Sequence, residues 1–199
     1  SSEIAASALR AFGLEASEAG HVADVLAANA NMTNASVTDT GYAFKYAAPI
    51  AKSLGVSMEE TAAAVGLLSN AGIKGEQAGT VLRGAMTRLV KPTDEAAAAM
   101  ENLGVTFFDA EGQMKPLSTI IGDLSNATSG LSDEQKNAAL SAIFGTEALS
   151  GMLALIDAGP AELERLTKAY QESDGAAAAA AATMRDNLKG ALEELGGSF

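Results

Sequence analysis

One histidine, two pairs of adjacent glutamates, one acidic turn and one glycine-rich stretch are the residues of this 199-residue chain that could do chemistry. His21 could act as the base of a Ser–His–Asp triad, but it sits in the first turn of a helical segment with no hydrolase signature nearby. Its spacing predicts a partly exposed surface residue. Glu59-Glu60 and Glu193-Glu194 could serve as paired acid and base. Neighbours on a helix diverge by about 100°, however, and do not face one another. Asp109-Ala110-Glu111-Gly112 would begin a calcium loop only with glycine at its sixth position and glutamate at its twelfth. Met114 and Ile120 stand there, so the stretch reads as a turn. Gly72-Ile73-Lys74-Gly75 through Gly79-Thr80 lacks the order of glycine, four residues and Gly-Lys-Ser/Thr that cradles phosphate. With one histidine and no cysteine, any metal site would rest on carboxylates alone. The sequence therefore announces no catalytic, cofactor or metal residue.

The elements that carry these residues follow from composition. Hydrophobic residues make up 48% of the chain and aromatics 5%, without tryptophan, so the core is built from Ala, Leu, Val, Ile and Met. Ala and Leu lead the helix-propensity ranking, which predicts an all-α fold. The lack of cysteine removes disulfides and fits a reducing compartment. No charged start leads into an apolar stretch, so no signal peptide is expected, and Ala148 to Ile156 is too short to span a bilayer. Net charge is −12, with a balance of −1 over residues 1–91 and −11 over 92–199. So acidic a second half disfavours nucleic acid. It serves either as a solvated surface or as a docking face for a basic partner. Arg83, Arg88 and Lys91 gather near a helix end, where they complement its dipole or form a basic contact patch.

Ile4, Ala5, Ala8, Leu9 and Phe12 mark the first helical face, and Val22, Val25, Leu26 and Asn29 a second one between Ser17 and Met32. A third helix from about Thr38 to Leu54 contains Pro49, which should kink or split it. Ser57 to Glu60 is a capping box, in which Ser57 accepts a first-turn N–H and Glu60 reaches back. Gly72 ends that helix, Gly75 starts the next, and Gly79 sits inside it, where close contact with a neighbouring backbone would offset its cost of roughly 0.5–1 kcal/mol. Thr93 caps the helix from Asp94 to Leu103, and Gly104 takes the left-handed closing position.

Val105 to Phe108 and Gln113 to Lys115 flank Asp109–Gly112 as a small β-hairpin. Pro116 opens a helix to about Asn126, and Ser132 to Gln135 is a second capping box opening one to Phe144. Gly145 breaks it, Thr146 caps a helix over Glu147–Asp157, and Leu163, Leu166 and Tyr170 continue the pattern after Pro160. From Asp174 an alanine run leads into Met184, Leu188, Leu192 and Leu195, a narrow seam that suits a coiled coil or packing on the same core. The chain opens without methionine inside a helical pattern and stops just after another, which predicts a piece of a longer polypeptide.

The ordered pieces Leu54-Gly55-Val56-Ser57-Met58-Glu59-Glu60, Ala71-Gly72-Ile73-Lys74-Gly75, Ala78-Gly79-Thr80-Val81-Leu82-Arg83, Leu103-Gly104-Val105 with Asp109–Gly112, and Phe144-Gly145 resemble the core of bacteriophage tail tape measure proteins. The resemblance runs from about Ala5 to Leu155. It implies Gly55, Ser57, Glu60, Gly72, Gly75, Gly79, Thr80, Gly104, Gly112, Phe144 and Gly145 as structural positions of the family pattern, and no catalytic residue. It further implies a structural protein of the virion that sets tail length inside the tail tube and leaves before the DNA at infection. The implied partners are tail tube protein, tail assembly chaperones and tail tip proteins, met in the host cytoplasm during assembly. Residues 1–172 are expected to form a helical core domain and 173–199 an Ala-rich helix leaving it, open to self-association. The competing reading is a helical adaptor or secreted effector that binds a protein through its acidic half.

Overall fold

Every residue from Thr61 to Ser69 is buried. A helix that is covered all round has to lie at the centre of its fold, and this one, α4 (Met58–Asn70), does so in the computed structural model, which describes residues 2–197. Around it stand α2 (Ala19–Met32, entered through a 3-10 turn at Ala16–Glu18), α3 (Val37–Ser53), α5 (Glu76–Val90), α9 (Leu149–Ala158) and α10 (Pro160–Gln171), all of which touch it. The outer helices are α1 (Ser2–Phe12) on α3 and α2, α6 (Asp94–Leu103) on α8 (Asp133–Phe144), and α7 (Leu117–Thr128) on α10 and α9. The last helix, α11 (Ala176–Gly197), rests on α2.

Among the described residues the regular structure is entirely helical, as the composition predicts. Small side chains set its scale. Ala43, Ala47, Ala48 and Ala51 face inward from α3 and are fully buried, so α3 and α5 approach closely. A β-carbon added to Gly79 would stand 2.5 Å from the Ala43 carbonyl oxygen and 2.9 Å from its α-carbon. The glycine inside α5 is therefore the contact point predicted for it. The core phenylalanines pair: Phe12 meets Phe44 edge-on at 5.0 Å, and Phe107 lies 6.2 Å from Phe144.

Many helix ends follow the sequence. Ser132 and Gln135 form their reciprocal cap, Thr93 accepts from the Ala96 amide at 3.0 Å, and Gly104 is left-handed at φ 71°. Four local expectations need correction. The hairpin over 105–115 is one isolated antiparallel bridge, Phe108 to Met114, around a turn. The Asp109 carboxylate closes that turn by accepting from the Glu111 and Gln113 amides, both at 2.9 Å. A ladder has no room to grow. The Val105 amide is committed to the Met100 carbonyl in closing α6, and Pro116 has no N–H to donate.

Pro49 does not split α3, which runs unbroken through it. The carbonyl it leaves unbonded belongs to Lys45, and both residues are exposed, so water can serve that group. Thr146 caps nothing: it opens a 3-10 turn, Thr146–Ala148, before α9. Glu60 does not close the return bond of a capping box. Ser57 accepts from the Glu60 amide at 3.1 Å, but the carboxylate accepts from the Leu117 amide at 2.8 Å and so caps the start of α7. Burial raises its pKa above the usual carboxylate value, against the opposing pull of backbone amides, that of Leu117 foremost.

Two stability predictions follow from these contacts. Gly79→Val should destabilise the fold by about 2–3 kcal/mol through overpacking against Ala43. Gly84→Ala in the same helix, where a β-carbon meets nothing, should stabilise it by about 0.5–1 kcal/mol; urea denaturation of both variants reads the contrast. Glu60→Ala should cost about 1–2 kcal/mol by orphaning the Leu117 amide. Glu60→Gln keeps an acceptor without the burial cost of charge, and its urea midpoint should stay near that of the parent.

Candidate functional site

The positions implied by the resemblance do not converge. Gly55, Gly72, Gly104, Gly112 and Gly145 have positive φ, each at a helix end or, for Gly112, at the acidic turn. Gly75 is the N-cap of α5, Thr80 is exposed one turn further on, and Phe144 is buried against Phe107. Ser57 and Glu60 each hold a helix start. Among the described residues, no group of three or more His, Asp or Glu side chains is placed to hold a metal ion. The cationic trio is dispersed as well. Arg83 stacks 5.3 Å over the Tyr46 ring, while Arg88 reaches the Ala142 carbonyl at 3.5 Å.

The polar groups that do come together lie where α2 meets α10 and the start of α11. Asn29 falls on the apolar stripe of α2 and is fully buried. Its amide nitrogen donates to Thr40 on α3 at 3.0 Å, and its carbonyl oxygen accepts from the Tyr170 hydroxyl of α10 at 2.5 Å. Burial holds the Tyr170 phenol well above its ordinary pKa, so it stays a neutral donor. A β-carbon on Gly66 of α4 would stand 2.5 Å from that same Asn29 oxygen. Four helices thus meet at one amide.

Five and eight residues earlier on α2, Asp24 and His21 hold the chain that follows α10. Asp24 accepts from the Gly175 amide at 3.1 Å and the Ala177 amide at 2.9 Å, capping α11 from a different helix. His21 places Nε2 2.8 Å from Glu59 of α4 and Nδ1 3.5 Å from Asp174. Burial pulls the imidazole pKa down, but the hydrogen bonds and charges of Glu59 and Asp174 outweigh it and leave it raised. The sequence predicts His21 as a partly exposed surface residue, and at 28% side-chain exposure it is one. Its two partners lie 38 and 153 positions away, beyond any local signal.

Beyond its root, α11 gives up the protein surface. Ala176, Ala177 and Ala180–Ala182 are partly covered, and every described residue from Thr183 on is exposed. Met184, Leu188, Leu192 and Leu195 are 58–71% accessible. The seam does not pack on the core; residues 198 and 199 of the predicted arm lie outside the described residues.

The model of the phage-related minor tail protein family matches residues 1–145. The chain belongs to that family. It is also similar over its whole length, at 54% identity, to the tape measure protein of Pneumococcus phage Dp-1, of which it spans 17%. A probable tape measure protein of Escherichia phage P2 is 40% identical over 183 residues, covering 90% of this chain and 22% of that one. The chain thus spans less than a quarter of either relative. No solved structure matches it. The tape measure resemblance drawn from the glycine closures is supported by all three matches.

The family match ends at Gly145, whereas the Dp-1 relative continues to match through α10 and α11. This minor tail protein should therefore owe part of its stability to a contact outside the family region. His21 titrates above its ordinary value of 6.5 in the fold. Its contribution is then complete below the unfolded value and lost as pH rises through the folded one. The urea-midpoint gap between the parent chain and His21→Ala should be wide near about pH 5.5 and should close by about pH 8.5.

Proposed function

We propose that this chain is the folded docking part of a tape measure protein, with most of the length-giving ruler elsewhere in the polypeptide. One observation carries the reading: the whole chain aligns at 54% identity with a stretch of a tape measure protein that makes up 17% of that protein. A continuous helix gains about 1.5 Å per residue, so residue number can encode length. This body works differently. Its helices from α1 to α10 run 10–17 residues and fold back on one another, so residues added to them thicken a body and do not lengthen a rod.

In this reading residues 1–172 form the body and 173–199 a helix that leaves it. The body grips tail tube, chaperone or tip proteins in the host cytoplasm during assembly, occupies the tube lumen in the virion, and departs before the DNA. Its role is structural and not catalytic. The exposed seam on α11 supports self-association of the arm.

Deleting whole turns within Asp133–Leu155 of the full-length protein should abolish tail assembly, seen as tailless particles by electron microscopy. Tails shortened in proportion to the deletion would overturn the docking role and assign the ruler to this segment.

A further inference from the structure

We propose that residues 173–175 are a hinge between body and arm, and that His21 and Asp24 of α2 form a latch across it which protonation of His21 closes. The hinge stands on backbone facts. Tyr170 is pinned to Asn29 at 2.5 Å, so α10 is fixed to its last turn. Four residues separate α10 from α11, and Gly175 has φ 89°, a conformation that L side chains resist. No described residue of α11 is buried. The arm is therefore held almost wholly at its root.

The latch stands on counting donors. Glu59 and Asp174, as carboxylates, only accept, and His21 lies between them at 2.8 and 3.5 Å. A neutral imidazole has one N–H and can satisfy one of them; the imidazolium has two and satisfies both. When the ring is neutral its single donor serves Glu59, the nearer group. Asp174, exposed and next to the hinge glycine, is then released. The other acidic groups near His21 are Asp24, three residues further along α2 and committed to the α11 amides, and Glu18, the N-cap of that helix. Among the described residues, neither Glu59 nor Asp174 forms an ion pair with lysine or arginine that could substitute for the ring. Asp24 holds the α11 amides whether or not His21 carries its second proton, so opening is graded: the neutral latch loosens the arm and loss of Asp24 frees it. None of this depends on the arm's role in a tail.

The chain has no cysteine, so Gln77→Cys on α5 and Asn187→Cys on α11 give a clean spin-label pair on the intact 199-residue protein. The expected distance distribution is narrow near about pH 5.5 and roughly twofold broader near about pH 8. Asp174→Asn should be broad at both, and Asp24→Ala broader still. Hydrogen exchange at Tyr170 and the rest of α10 should stay slow throughout. An unchanged distribution between the two pH values, or a full pH response surviving in Asp174→Asn, would sink the latch. Faster exchange across α10 on opening would show the helix melting, and would sink the hinge.

Discussion

Two helices of this protein meet backbone to backbone, and the rest of the fold depends on that approach. With few rings and no tryptophan, the core cannot be filled by large side chains, so helix axes have to close the gap. Gly79 over Ala43 sets the spacing of α3 and α5, and Gly151 makes room in α9 for the side chains of Val81 and Leu68, which an added β-carbon would collide with or crowd. Packing at interior density tolerates no other solution, because a void lined by alanines forfeits contact on every side. Short, tightly closed helices follow from this: each must turn back before it outruns the thin core.

Polar groups inside such a core have to be matched by partners. Asn29 achieves it by spending its nitrogen on Thr40 and its oxygen on Tyr170 and, at 3.2 Å, Thr33, and no described buried side-chain nitrogen or oxygen is left without a partner. An amide with directional bonds to two helices fixes their register in a way that interchangeable alanines cannot. It also ties the C-terminal helix of the body to the N-terminal third of the chain, 141 residues away. That tie is what makes the following segment a hinge: α10 cannot yield, so motion of α11 has to be taken up after it.

What could be read from the sequence was what neighbouring residues decide. Ser132 with Gln135, Thr93 with Ala96 and the left-handed Gly104 are local geometry, and each appears as its spacing implies. The corrections have separate causes, one distant and the others local. Glu60 has the spacing for a reciprocal cap, yet the Leu117 amide 57 residues on captures its carboxylate. Val105 to Lys115 has strand-like residues, but closure of α6 on one side and Pro116 on the other consume the backbone a ladder needs. Pro49 is forgiven because its freed carbonyl faces water. His21 was legible as half-exposed, whereas its two carboxylates belong to other elements and left no trace at its own position.

The seam of α11 was legible as a stripe but not as an exposed one, since spacing alone does not say what covers it. Burial decides the matter through supply. Body helices direct their apolar faces at α4 or at one another, and the surface of α2 left over for α11 takes only alanines, which fit flat against it. Methionine and leucines further along have no remaining surface of this chain to meet. A helix that keeps four large apolar side chains at 58–71% accessibility forgoes roughly 1.5–3 kcal/mol for each, a gain that only an additional partner could recover. Body and α11 thus divide the apolar surface, the one burying its share internally and the other leaving its share exposed.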